Sequence, residues 1–180
     1  LHQIGRALFF LPPVPFFAAS NTLRAMNFRF RSSLFADFSS VFLRAALATA
    51  FLSAVADRFG WWGLFGQPNV AWGDWARFVS YNAKLLWFLP GAVIPAMAVV
   101  ATIAEAALGV LLLLGWQTRA AAFLSGVLLL AFAATMTVAL GIKAPLNASV
   151  FTASAGAFLL ATCPRFLYSV DEYRGRAGTV

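Results

Sequence analysis

The sequence predicts an all-α integral membrane protein, a four-helix bundle with an interfacial amphipathic helix in its first outer loop. Two observations carry this. Of 180 residues, 62% are hydrophobic and only 11% charged, and the mean hydropathy is +0.82. A soluble domain carries roughly 25% charged residues, and so short a chain cannot hide this much apolar surface in its own core. The apolar residues also fall in runs near the length of a bilayer crossing, about 20 residues, with Lys, Arg, Gly and Pro collected in the gaps.

Residues 1–37 read as a poorly organised N-terminal segment. The apolar run Leu8–Phe17 contains Pro12, Pro13 and Pro15, which break helices. Arg6, that run and Ala18-Ala19-Ser20 have the order of a signal peptide. Arg24, Arg29 and Arg31 just downstream resist translocation. Met26 is a plausible natural start, which would make the first 25 residues an upstream extension.

Residues 38–163 form the predicted four-span bundle. The first span is Ser39 to Phe59, with Arg44 snorkelling to the headgroups and Asp57-Arg58 closing the far end. Residues 60–89 form an outer loop holding Trp61, Trp62, Trp72, Trp75 and Trp87, five of the six tryptophans. Gly60, Gly63, Gly66, Pro68 and Gly73 mark turns. From Asp74, a good N-cap, helical spacing of Trp75, Phe78, Val79, Leu85, Leu86 and Leu89 predicts an amphipathic helix lying in the interface.

The second span is Pro90 to Leu114, with Pro90 and Pro95 in the first turns, where proline is tolerated. Ala120 to Ile142 is the third and Leu146 to Cys163 the fourth. The short connections at 115–119 and 141–145 require antiparallel neighbours. Residues 164–180 form a polar, basic tail. Small or polar stripes predict inward faces: Ala46, Ala50, Ser53 and Asp57; Ala98, Ala101, Thr102, Glu105 and Gly109; Ala122, Ser125, Ala133 and Thr137; Ala148, Thr152, Ala155 and Gly156.

The net charge is +7. Its placement speaks for topology, not nucleic acid, since no segment carries a basic stripe. With both termini cytoplasmic, the inner side receives Arg24, Arg29, Arg31, Arg44, Arg119, Arg165, Arg174 and Arg176. The outer side receives Arg58, Arg77, Lys84 and Lys143. That excess of inner cations predicts this orientation, with both termini cytoplasmic.

One cysteine, Cys163, and one histidine, His2, exclude an intrachain dithiol pair, a bis-histidine haem and a zinc constellation. Glu105 is the residue out of place. It lies mid-span, where a bare acidic residue costs about 3 kcal/mol, so it must be protonated, paired or beside water. Proton exchange with a ligand and a structural hydrogen bond to Thr102 or another helix both satisfy this. Asp57 is a second proton-exchange candidate; Arg77, Lys84 and Asn147 are its possible partners. Trp61, Trp62, Trp72, Trp75 and Asn147 are the candidate ligand-binding set at the outer face, against the plainer reading of interface anchors. Asn147-Ala-Ser149 matches a glycosylation sequon, a pattern common by chance.

The chain resembles the DoxX/DoxD family of small membrane proteins over residues 41–174. The resemblance rests on Arg44-Ala-Ala-Leu, Ala104-Glu105-Ala-Ala-Leu-Gly109, Leu114-Gly-Trp-Gln-Thr-Arg119-Ala-Ala, Ala144-Pro-Leu-Asn147-Ala-Ser149-Val-Phe and Ser169-Val-Asp171. Phe59-Gly-Trp-Trp-Gly63 and Val70-Ala-Trp-Gly-Asp74 resemble a subgroup with a longer outer loop. The resemblance implies a four-helix bundle and association with redox enzymes, one member type being a subunit of a thiosulfate:quinone oxidoreductase. The resulting expectation is a membrane subunit or anchor of a quinone-linked complex, with quinone as ligand, no intrinsic cofactor, a soluble or peripheral oxidoreductase as partner, and homo-oligomerisation left open. A non-catalytic scaffold supporting the envelope and a small transporter are the rivals. Four spans leave little room for alternating access.

Overall fold

The computed structural model describes the backbone of residues 16–177 and the side chains of residues 34–174. It is all-α. The chain divides into two compact units, 1–36 and 37–180; the contacts below lie within the second.

Helix α1 is Phe16–Arg58, 43 residues. The span expected from Ser39 to Phe59 is its apolar C-terminal part, 34–58; the helix itself extends back to Phe16 because no Pro or Gly interrupts residues 16–58. Residues 1–15 of the N-terminal segment expected to be poorly organised lie outside the described residues. Helix α2 is Trp75–Leu85. Its cap is the one expected, with Asp74 Oδ1 accepting from the Arg77 backbone N–H at 2.8 Å. A 3₁₀ turn at Gly91–Val93 leads into α3, Ile94–Leu114, with Pro95 in its opening turn. Helix α4 is Thr118–Leu140. Gly115, at φ 67°, makes the tight α3–α4 turn; a Cβ there would collide with Ser169.

Among the described residues, three helical stretches are long and apolar enough to cross a membrane: 34–58, 91–114 and 118–140. The expected fourth span is instead a broken pair, α5 at Lys143–Asn147 and α6 at Val150–Ala161. Ser149 adopts φ 55°, in the left-handed region, which ends α5 and re-aims the chain. Hydropathy sees a continuous run here because the break falls on small, uncharged residues.

The core, at the end of the bundle that bears the α3–α4 turn, joins Leu47, Ala48 and Phe51 of α1 to Leu108 and Leu112 of α3, Ala121 and Ala122 of α4, and Ala157 and Leu160 of α6. Small residues allow the close approaches. Gly109 lies against Ala48 and Leu52, and Gly126 against the Phe158 ring. The buried Ser154 hydroxyl donates to the Gly126 carbonyl at 2.8 Å, tying α6 to α4.

The small stripes of α3 and α4 face inward as expected, with Ala98, Thr102, Glu105, Gly109, Ala122, Ser125 and Ala133 buried. Those of α1 and α6 do so only in part: Asp57 is buried, and Ser53 and Gly156 are half-buried. Ala46, Ala50, Ala148, Thr152 and Ala155 are exposed. Helix α1 instead turns Arg44, Leu47, Ala48, Phe51 and Arg58 inward, because both arginines find partners on other segments. The break at Ser149 resets the face of α6, which buries Ser154, Ala157 and Leu160.

The tail is docked rather than loose. Arg44 does not snorkel: it is 6% exposed and donates to the Leu167 and Tyr168 carbonyls at 3.1 and 2.7 Å. Asp171 caps the start of α4, accepting from the Gln117 and Thr118 backbone N–H groups at 2.8 and 2.7 Å. Arg165 pairs with Asp37 at 2.9 Å. A last helix, α7, is Val170–Ala177.

Candidate functional site

The opposite, loop-bearing end of the bundle is organised around two adjacent side chains that close α1. Consecutive helical residues diverge by about 100°, so Asp57 and Arg58 serve different neighbours. Asp57 is 5% exposed, and its Oδ2 accepts from the backbone N–H groups of Ala71 and Trp72, each at 3.0 Å. It pins the 60–74 connector just ahead of α2. Its expected partners, Arg77, Lys84 and Asn147, are not used. Asp57 Oδ1 is buried with no hydrogen-bond partner among the described residues.

Arg58 crosses to α3. Its Nη2 lies 2.6 Å from Glu105 Oε1, and its Nη1 donates to Thr102 Oγ1 at 2.7 Å. Thr102 can accept because its own proton goes to the Ala98 carbonyl, 2.8 Å away. Glu105 is 2% exposed and Arg58 3%. Of the three ways to keep an acid inside the span, the chain uses pairing. Arg58 Nε has no partner among the described residues.

Aromatic rings complete the enclosure. The Arg58 guanidinium carbon sits 3.9 Å from the Phe78 ring centroid and 5.4 Å from that of Trp72, within cation–π range. Trp72 meets Phe78 edge-on at 5.1 Å and Tyr81 at 5.9 Å. Phe78, Tyr81, Asn82 and Leu85 recur at helical spacing, so α2 turns its apolar face onto α3 and α4 and covers the site. This face packs against protein; the expected interfacial helix faced lipid. Gly73, at φ 70°, lets the loop fold back: a Cβ there would strike the Leu64–Phe65 backbone.

Beneath this cover lies a cavity of about 360 Å³, within the small-molecule range of about 300–1,000 Å³. Its walls are almost wholly apolar, from α1, α4 and α6. Its charged pair, Arg58 and Glu105, lies beside Trp72, with Tyr81 against the same ring; Asn82, also in the lining, donates to the Phe78 carbonyl at 2.9 Å. Burial raises the Tyr81 phenol above its ordinary pKa, so it remains a neutral donor at physiological pH.

The residues singled out from sequence divide by position. Glu105 and Trp72 line the cavity. Asp57 supports Trp72 from behind. Trp75 stands one layer out, 5.6 Å from Phe78 and stacked on Phe59 at 6.0 Å. Trp61 and Trp62 are 81% and 61% exposed, and the Trp62 indole N–H donates to the Ser53 carbonyl at 3.1 Å. Asn147 is exposed; these last three do not line the cavity.

Sequence reasoning missed Arg58, Phe78 and Tyr81. The demand of Glu105 for a cation was a usable signal, but Arg58 looked like a span boundary. The face predicted for this helix holds Phe78 and Leu85 but not Tyr81 or Asn82, and is placed in the membrane interface; the i, i+3, i+4, i+7 spacing of all four is the signal that finds the covering face. Among the described residues, no three His, Cys, Asp or Glu side chains come together as metal ligands. Comparison of the chain with protein-family models, curated proteins and solved structures finds no match.

Proposed function

We propose that this chain is a DoxX-like, multi-pass membrane subunit of a quinone-linked redox complex, and that its outer-end cavity holds the quinone. The observation that carries the reading is the buried Arg58–Glu105 pair at the polar end of an otherwise apolar cavity. A quinone has the matching form, a ring with two hydrogen-bond acceptors on a hydrocarbon tail. Arg58 and Tyr81 supply donors, and Trp72 supplies a flat apolar surface. Reduction of a quinone to a quinol takes up two electrons and two protons. In this reading the electrons come from a partner oxidoreductase and Glu105 relays protons to the ring. Asp57, tied to two backbone N–H groups, positions Trp72.

The test is thermal unfolding of the purified protein with added quinone. A ligand at a hundredfold excess over its Kd stabilises by about 2.7 kcal/mol. We expect a rise of several degrees in Tm, lost in Glu105→Gln. No rise with either a benzoquinone or a naphthoquinone would refute the reading.

A scaffold role draws on the same contacts, since the ion pair bridges α1 and α3 and Asp57 fixes the loop. On that reading Glu105→Gln lowers assembly and expression, and no quinone alters Tm in the parent protein.

A further inference from the structure

The cavity has a side, and its exposure pattern identifies it. Of all the residues lining it, two are exposed, Ala50 of α1 and Ala148 at the α5–α6 break. The lining residues of α2, α3 and α4 are buried or half-buried. Ala54 and Ala153, next along the same two edges, are also small. Nearer the other end of the bundle α1 and α6 close up, with Leu43 against Gly156. The gap between α1 and α6 is therefore shut at one end and edged at the other by Ala50, Ala54, Ala148 and Ala153, with half-buried Val150 between the last two. Ser149, in its left-handed conformation, turns the chain at that edge.

From this we infer that the cavity opens sideways into the bilayer between α1 and the α5–α6 break, and that a ligand's hydrocarbon tail passes out through this opening. The inference rests on the quinone reading above and adds the route and the tail requirement. The polar groups lie at the Arg58 end, so the ring occupies that end and the tail runs past Ala50 and Ala148 into lipid. The position suits a tail because the lining residues along the mouth, Ala50, Ala54, Ala148, Val150 and Ala153, are all apolar. Alanine at four of these five positions leaves width for one chain. Arg58 itself adds a donor: its Nε is buried, unpartnered among the described residues, and belongs to a cavity-lining side chain.

The test compares a decyl-tailed benzoquinone with the same ring bearing no tail, in the parent protein and in Ala50→Trp and Ala148→Trp. Ile103→Trp, on the exposed face of α3, is the control. In the parent and the control, the tailed quinone should raise Tm by about 5 °C at a hundredfold excess over Kd. In either mouth variant, the affinity for the tailed compound should fall at least tenfold, while that for the tailless ring stays within threefold of the parent value. Equal affinity for the tailed compound in parent and mouth variants overturns the side opening and leaves the ring site standing. Loss of both compounds in the mouth variants also overturns it, since the mouth then serves the ring. No Tm response to either compound in the parent sinks the quinone reading itself. Two independent mouth variants guard against one failing to fold.

Discussion

Arg58 Nη2 and Glu105 Oε1 lie 2.6 Å apart, with both side chains 3% exposed. Neither charge is tolerable there alone. Removing one partner of a buried pair typically costs about 3–5 kcal/mol, whereas replacing both by apolar groups is often neutral. Arg58→Ala should therefore lower stability by about that amount. Arg58→Met combined with Glu105→Leu should recover most of it while abolishing any ligand response. Unfolding in detergent by heat or denaturant reads both effects.

Asp57 holds the outer loop through two backbone N–H groups. Asp57→Ala leaves both donors without that acceptor; with Ala71 exposed and Trp72 half-buried, the cost falls near the low end, about 1 kcal/mol. Because the contact is local, the loop should loosen before the bundle does. Hydrogen exchange at the Ala71 and Trp72 amides should quicken severalfold in the variant, with exchange in α3 and α4 little changed.

Asp171 gives a pH-dependent contact at the other end. Burial pushes its carboxyl up, but hydrogen bonds from Thr118 and Gln117, with the charge of Arg174, outweigh this and hold its pKa below the usual range. A carboxyl depressed on folding contributes stability that is fully present above its unfolded pKa, about 3.9. That contribution fades as pH falls through the lower folded value. The tail should stay docked at neutral pH and release in acid. Asp171→Asn should remove the dependence. Exchange rates at the Gln117 and Thr118 amides, followed from pH 7 downward, decide this.

The distribution of Lys and Arg predicts which side each end faces. In a Cys163→Ser background, a cysteine at Pro68 in the outer loop should react with an impermeant maleimide added to intact inner-membrane cells stripped of their outer layer. One at Tyr173, 76% exposed in the tail, should react only after permeabilisation. The reverse pattern would invert the orientation, and with it the side on which the cavity cover lies.

Much of the architecture was legible in advance because it follows from local chemistry. Apolar run length located the three long helices. Asp74 announced the α2 cap, and Gly115 the α3–α4 turn. Glu105 advertised a polar site through its cost. The remainder depended on three-dimensional register. Arg44 and Arg58 both looked like charges at span ends, free to reach water. Each is instead satisfied by a segment distant in sequence, the tail for Arg44 and α3 for Arg58. Those distant partners set the rotation of α1, so its alanine stripe turned outward. The Ser149 break was hidden because a left-handed serine carries no compositional mark.

The brevity of α6 has a consequence for the surrounding lipid. Twelve residues rise only about 18 Å, against a hydrocarbon layer of about 30 Å. Alone α6 is too short to cross, so α5 must share that side of the bundle, and mismatch left over carries a cost that grows with each ångström. Stability in reconstituted vesicles should therefore depend on acyl-chain length as well as headgroup, and a series of lipids of increasing chain length checks this.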